Sequence, residues 1–403
     1  MQEHEISQIV YNALDMVNAN AVRKFQTPPE TLIGPGALAL IGEAVKTRGM
    51  NKVFIALDEV VAKLGLAEGL RRSLDRNGIE YCESQQEPGE PQSDFIEREA
   101  CRFVESGCEG VVAVGGGSVL DASKAIAILA ANPGLSVRDL MMPENIRKRR
   151  STFIAIPTTA GTGSEATNVT VITDSKTQHK QVIVHPDLVP DLALIDACLT
   201  LRVPPFYTAA TGIDALVHAI EAYVAKQATP MTSALAYQAI RLIGEFLPTA
   251  VGQGDNVDAR EAMALASFMA GVAFSNAGLG LTHAMAHQIG PRYKLPHGEA
   301  NAILLPSVMI FNELVCKKAF VDIGLALTGE RLTAPEVIRA IQKLIVDIGL
   351  PANLSVVGGR EEDFVEFAEM ALMDTTLATN PRTASREQII KVYQHALTRQ
   401  PAV

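Results

Sequence analysis

A single change of pattern limits what this chain can fold into. Between about residue 50 and residue 200, short apolar runs alternate with helical stretches; after Pro204-Pro205 the short runs nearly vanish. Lys52-Val-Phe-Ile-Ala-Leu57, Gly110-Val-Val-Ala-Val114 and Thr152-Phe-Ile-Ala-Ile156 are continuous apolar segments, as strands covered on both faces require. A further strand is expected over residues 79–82. Helices are expected on to Leu74, over Ser93–Ser106, and after the Gly115–Ser118 turn on to Ala131. Strands separated by helices imply a parallel sheet with crossovers. Val169–Thr173 and Lys180–Val184 flank a polar turn and read as a hairpin. Beyond Pro205, residues 209–226, 233–246, 259–273 and 335–348 carry helical periodicity. The expectation is an α/β unit over residues 21–203 and an all-α unit over residues 204–403.

Residues 1–20 stand apart. Ile6, Ile9, Val10, Ala13, Leu14 and Val17 recur at helical spacing beside a polar face. Such a helix docks on its own chain or is offered to a partner, and the pattern alone favours the first. The opening MQEHEISQIV has neither the basic nor the apolar region of a secretory signal. No stretch approaches about 20 uninterrupted apolar residues, so no membrane span is expected. Five scattered cysteines without a C-x-x-C pair point to a reducing, cytoplasmic setting and away from a thiolate metal site. A net charge of −10 with one short basic run, Arg147 to Arg150, argues against nucleic acid as a partner.

Four of the eight histidines fall between positions 218 and 297. Asp214 and His218 sit four apart in Gly212-Ile-Asp-Ala-Leu-Val-His-Ala-Ile-Glu-Ala-Tyr223, on one helix face. His283 and His287 repeat the spacing in Leu281-Thr-His-Ala-Met-Ala-His-Gln-Ile-Gly290, and His297 follows in a turn sequence, Leu295-Pro-His-Gly298. Any one of these imidazoles can be a hydrogen-bonded core residue. Two spaced pairs and a further histidine on apolar helices suit a divalent cation, with one hard oxygen and several nitrogens favouring Fe(II) or Zn(II). At the strand ends, Gly115-Gly116-Gly117-Ser118 opens a helix where backbone N–H groups can hold a pyrophosphate, or is simply a tight turn. Pro157-Thr-Thr-Ala-Gly-Thr-Gly-Ser-Glu165 can cradle a ribose or phosphate, or cap a helix. Asp58 can accept ribose hydroxyls or act as an N-cap.

These motifs resemble the iron-containing (group III) alcohol dehydrogenase family over about residues 25 to 395, through Gly115 to Lys124, Pro157 to Thr167, Gly212 to Tyr223, Gly280 to Gly290 and Pro296 to Pro306. Within it, the ethanolamine-utilisation branch shares Gly115 to Ala122, Ala166-Thr-Asn-Val-Thr-Val-Ile172 and Asn380-Pro-Arg-Thr-Ala-Ser385. The resemblance implies a Rossmann-like dinucleotide-binding α/β domain, an all-α metal domain and a cleft between them. It makes Asp214, His218, His283 and His297 the metal ligands, with Fe(II) as the metal and Zn(II) as the alternative. It leaves His287 beside metal and nicotinamide, and we read it as the proton path. It places Asp58 on the adenosine ribose of NAD(H), Gly115, Gly116, Gly117 and Ser118 on the pyrophosphate, and Asp121, Thr158, Thr159, Thr162 and Lys180 as further cofactor contacts. The chain departs from the family in carrying Gly89-Glu90-Pro91 where members often have Asn-Pro-Thr. The implied activity is interconversion of short primary alcohols and aldehydes such as ethanol/acetaldehyde or propanol/propionaldehyde. Diol or polyol oxidation and a catalytically silent cargo role are the other readings. The implied assembly is a homodimer, with strand pairing near residues 25–33. The first 20 residues would then serve entry into a bacterial microcompartment shell.

Overall fold

The computed structural model describes residues 23–177 and 179–399. Residues 1–20, with their expected amphipathic helix, lie outside the described residues. Six parallel strands form one sheet: β1 (Thr31–Ile33), β2 (Lys52–Asp58), β3 (Glu80–Gln86), β4 (Gly110–Gly115), β5 (Thr152–Pro157) and, after a hairpin, β8 (Leu192–Ile195). Their order is β1-β8-β5-β4-β2-β3. The order reverses direction at β2 and β4, and ligands of open parallel sheets gather in the crevice at such a point.

The apolar strands serve two cores because their side chains alternate. Phe54, Val111, Ala113, Phe153 and Ala155 face the helices Ser93–Ser106 and Gly117–Ala131. Val53, Ile55, Val112, Val114, Ile154 and Ile156 pack on the other side with Ile41, Leu70 and Leu74. Two short strands, β1 and β8, have too few residues to carry a legible period; the resemblance implied a strand near residues 25–33, and β8 was not expected from the sequence. They pair with each other, Leu32 opposite Leu194. Thr31–Ile33 is thus committed to the chain's own sheet, leaving its outer edge for any pairing with a second copy. The helical stretch expected up to Leu74 is two helices, Glu59–Lys63 and Glu68–Arg76, separated at Gly65, whose φ is +67°.

From Pro205 onward the described chain is helical. Pro205–Val224, Pro230–Gly252, Val257–Ala277, His297–Thr328 and Ala334–Asp347 share one core. Leu281–Tyr293, Phe364–Met373 and Arg386–Thr398 share a second with the first half of His297–Thr328. Several helices begin earlier than periodicity alone indicates, because proline at the first helical position has no N–H to leave unpaired. Among the described residues no single helix is long and apolar enough to cross a membrane.

The hairpin, β6 (Val169–Thr173) with β7 (Lys180–Val184), is antiparallel with Val171 opposite Val182. Helix Gly117–Ala131 pins it: Lys124 Nζ donates to Thr167 Oγ1 at 2.8 Å and to the Val169 carbonyl at 2.7 Å. Asp121 accepts from Val171 N at 2.8 Å and from Ser164 Oγ at 2.6 Å. Burial pulls the Lys124 ammonium down to about 8 and pushes the neighbouring buried Glu165 up to about 7. A carboxyl whose folded pKa is raised stabilises the fold most while protonated, and that contribution falls as pH rises from about 4.5 through about 7. Glu165→Gln is therefore expected to match the wild type at pH 5 and to exceed it at pH 8. The gain is at most about 3 kcal/mol, reduced by the countercharge that Lys124 loses. Denaturant unfolding at the two pH values measures this; an equal gap at both would mean that Glu165 does not titrate in that window.

Candidate active site

A cleft of about 430 Å³ runs between the strand ends and the helical part. Its sheet side carries Asp58, Gly116, Gly117, Ser118, Asp121, Thr159 and Thr162, and its helical side Asp214, His218, His283, His287 and His297. Phe274, Leu279, Val169 and Val182 supply apolar wall.

The triglycine turn separates into two roles. A Cβ on Gly115 would lie 2.6 Å from Val119, and one on Gly117 would lie 2.7 Å from Thr162 Cγ2, so these two are glycines for the protein's own packing. A Cβ on Gly116 would meet nothing closer than 3.6 Å, yet Gly116 lines the cleft and caps the helix Gly117–Ala131. Its missing side chain leaves room for something outside the protein, as a phosphate held on backbone N–H groups requires. Gly115 and Thr158 do not line the cleft. Thr158 is buried, and its N–H donates to the Gly115 carbonyl at 3.0 Å. Asp58 lines the cleft and also caps Glu59–Lys63, accepting from Val61 N at 2.7 Å. Lys180 pairs with Glu90 at 2.8 Å across the cleft mouth, in the segment where the family motif is absent.

On the helical side, one oxygen of Asp214 and one nitrogen each of His283 and His297 lie within 4.8 Å of one another. Three helices deliver them: Pro205–Val224, Leu281–Tyr293 and the first residue of His297–Thr328. The approach depends on Gly298, where a Cβ would stand 1.9 Å from the Ala210 carbonyl of the Asp214 helix. Asp214 Oδ1 is 3.6 Å from His297 Nε2 and 3.9 Å from His283 Nε2. His218 lies against this group: its ring stacks on His283 at 4.7 Å and on Phe274 at 4.4 Å. Its Nδ1 is 3.3 Å from the Gly161 carbonyl and 3.9 Å from Asp214 Oδ2. Burial pulls His218 down to about 4 and His297 well below its usual value, so both rings are neutral with lone pairs free at neutral pH. Burial works to raise Asp214, but the charge of His283, whose pKa Glu221 holds above its usual value against burial, and the Asn301 hydrogen bond outweigh it and keep the Asp214 carboxyl below its usual range.

The donor set fits a divalent cation. Asn301 Nδ2 stands 2.7 Å from Asp214 Oδ1, 3.2 Å from His297 Nε2 and 3.3 Å from His283 Nε2. Three acceptors thus converge on a group with two protons, while the buried Asn301 Oδ1 has no partner. One carboxylate oxygen and neutral imidazole nitrogens converging from three helices are ligands of Fe(II) or Zn(II) type.

Three contributors were not singled out in the sequence. Glu221, seven residues after Asp214 and so on its face, accepts from His283 Nδ1 at 2.7 Å. Asn301, four after His297, had the same kind of signal. Asp374 had none: it approaches only through tertiary packing and takes His287 Nδ1 at 2.7 Å. Its other oxygen accepts from Thr376 N at 2.9 Å and Thr376 Oγ1 at 2.7 Å. Burial works to raise the Asp374 carboxyl; the His287 and Thr376 hydrogen bonds outweigh it and hold it well below the usual carboxylate range.

The chain is similar to known proteins over nearly its whole length. The family described as iron-containing alcohol dehydrogenase matches residues 28–197, and the C-terminal part of the Fe-containing alcohol dehydrogenase family matches residues 208–397. The chain is 47% identical over 394 residues to the probable alcohol dehydrogenase EutG of Escherichia coli (strain K12), covering 98% of this chain and 100% of that protein. It is 38% identical over 380 residues to the NAD-dependent methanol dehydrogenase of Bacillus methanolicus, covering 93% and 99%. The crystal structure of a 1,3-propanediol oxidoreductase superposes with a TM-score of 0.90 at 38% identity, covering 94% of this chain and all of the other. The chain belongs to the iron-containing alcohol dehydrogenase family.

Proposed function

We propose that the chain is an NAD(H)-linked alcohol dehydrogenase that interconverts short primary alcohols and aldehydes in the cleft between sheet and helices. The observation that carries this reading is the juxtaposition, in one cleft, of the Gly116–Ser118 turn with the Asp214, His283 and His297 group and the Asp374-held His287.

Asp214, His218, His283 and His297 would hold the cation, and Asp58, Gly116, Gly117, Ser118, Asp121, Thr159, Thr162 and Lys180 would form the dinucleotide side, with Gly115 and Thr158 shaping the turn behind it. A bound divalent cation supplies Lewis acidity, and NAD supplies the hydride acceptor. The protein's part is orientation and proton handling. Asp58 presents a carboxylate to ribose hydroxyls and disfavours a 2′-phosphate. Asp374 takes Nδ1 of His287, which leaves Nε2 to exchange a proton with the cleft. Phe274 and Leu279 keep water from the carbinol carbon and favour an aliphatic tail.

Anaerobically purified protein loaded with Fe(II) or Zn(II) is expected to oxidise NADH with acetaldehyde or propionaldehyde and to use NADPH poorly. Turnover confined to diols, polyols or cyclic substrates would replace this reading with another of the same fold, and no turnover with bound NAD would abandon it. A homodimer rests on the resemblance, a cytoplasmic setting on the scattered cysteines without a C-x-x-C pair, and shell entry by residues 1–20 on the resemblance and the amphipathic pattern. If removing residues 1–20 left the enzyme's partition between shell and cytosol unchanged, the last of these would fall.

A further inference from the structure

The helix Leu281–Tyr293 carries two of the cleft histidines, and a buried carboxylate from another helix stands behind the one in the ligand group. We infer that Glu221 is a positioning residue for the metal, turning His283 so that Nε2 faces the point it shares with Asp214 and His297. This rests on the reading of that group as a metal site.

Glu221 is 4% exposed, and each of its oxygens is engaged. Oε2 accepts from His283 Nδ1 at 2.7 Å and from Gly280 N at 2.9 Å; Oε1 accepts from Thr282 N at 2.7 Å. A Cβ on Gly280 would come within 3.0 Å of Oε1, so the glycine makes room for the carboxylate. An ionised carboxylate only accepts, so a proton of His283 sits on Nδ1, and the ring that gives up its other proton to a cation then presents the Nε2 lone pair. An anion behind a ligating imidazole also raises the basicity of the nitrogen in front. Asp214 and Glu221 together bring two negative charges, which balance a divalent cation in a buried site.

A purely structural role is the competing account, because the same carboxylate caps the exposed N–H groups at the start of Leu281–Tyr293. Asn380 separates the two: its Oδ1 accepts from Leu281 N at 3.1 Å at that helix start and does not touch His283. Full-length protein is titrated with Zn(II) in competition with a chromogenic chelator, and thermal unfolding is followed with and without Zn(II). Glu221→Gln is expected to raise the Zn(II) dissociation constant about 10–100-fold. Asn380→Ala is expected to lower the unfolding temperature with little change in that constant. An unchanged constant in Glu221→Gln, or an equal rise in Asn380→Ala, would overturn the inference. If Glu221→Gln does not fold, Glu221→Asp serves: an intermediate rise supports the inference and an unchanged constant overturns it. A wild-type protein that binds no Zn(II) would instead sink the metal site itself.

Discussion

Asp214→Ala is expected to purify as a folded protein that binds NAD, holds almost no metal and has lost nearly all turnover. Asp214 is the one anion in the group of three, and its Oδ1 lies within 4 Å of both His283 Nε2 and His297 Nε2. Removing it leaves imidazoles: burial keeps His218 and His297 uncharged, and in His283 burial is outweighed by Glu221, which raises its pKa. The site then offers no ligating oxygen, and the Glu221 carboxylate behind His283 is the main countercharge left for a buried dication, so Fe(II) in particular is held poorly. A cation acting as Lewis acid contributes several kcal/mol to the transition state, and each 1.4 kcal/mol is tenfold in rate. A fall in kcat/KM of about 10³–10⁴-fold follows. Metal analysis of the purified variant and NADH oxidation under added Fe(II) are the measurements. Turnover near the wild-type level without bound metal would remove the metal from the mechanism.

His287→Gln is expected to lower kcat about 10²–10⁴-fold while keeping both metal and NAD. The ring lies beside the ligand group, 6.1 Å between centroids from His283 and 5.4 Å from His297, but its Nδ1 is committed to Asp374. Glutamine fills similar space and can still reach Asp374, yet cannot relay a proton at neutral pH. The loss should therefore appear in kcat with metal content unchanged. Metal lost together with kcat would make His287 a ligand, and an unchanged kcat would place the proton path elsewhere. The two variants thus assign separate tasks to histidines and carboxylate that share one cleft wall.

The amino-acid sequence by itself determined the main elements where burial is simple. Strands such as Lys52–Asp58, Gly110–Gly115 and Thr152–Pro157 are covered on both faces, so their composition is apolar throughout and legible without neighbours. The helices after Pro205 were legible because a stripe of apolar residues repeats over many turns. Strands of three or four residues at one side of the sheet were not, since they show too little of any period.

At the site, spacing along a helix places Asp214 with His218 and His283 with His287, because residues four apart share a face. Spacing says nothing about which way each ring turns or which helices meet. The close approach at Gly298 brings His297 to Asp214; Glu221 and Asp374, distant in sequence from the rings they hold, set the orientations of His283 and His287. Local sequence therefore decided which chemical groups are available on each face. Tertiary packing alone decided which of them converge, since convergence is a relation between helices and side-chain torsions that no single segment encodes.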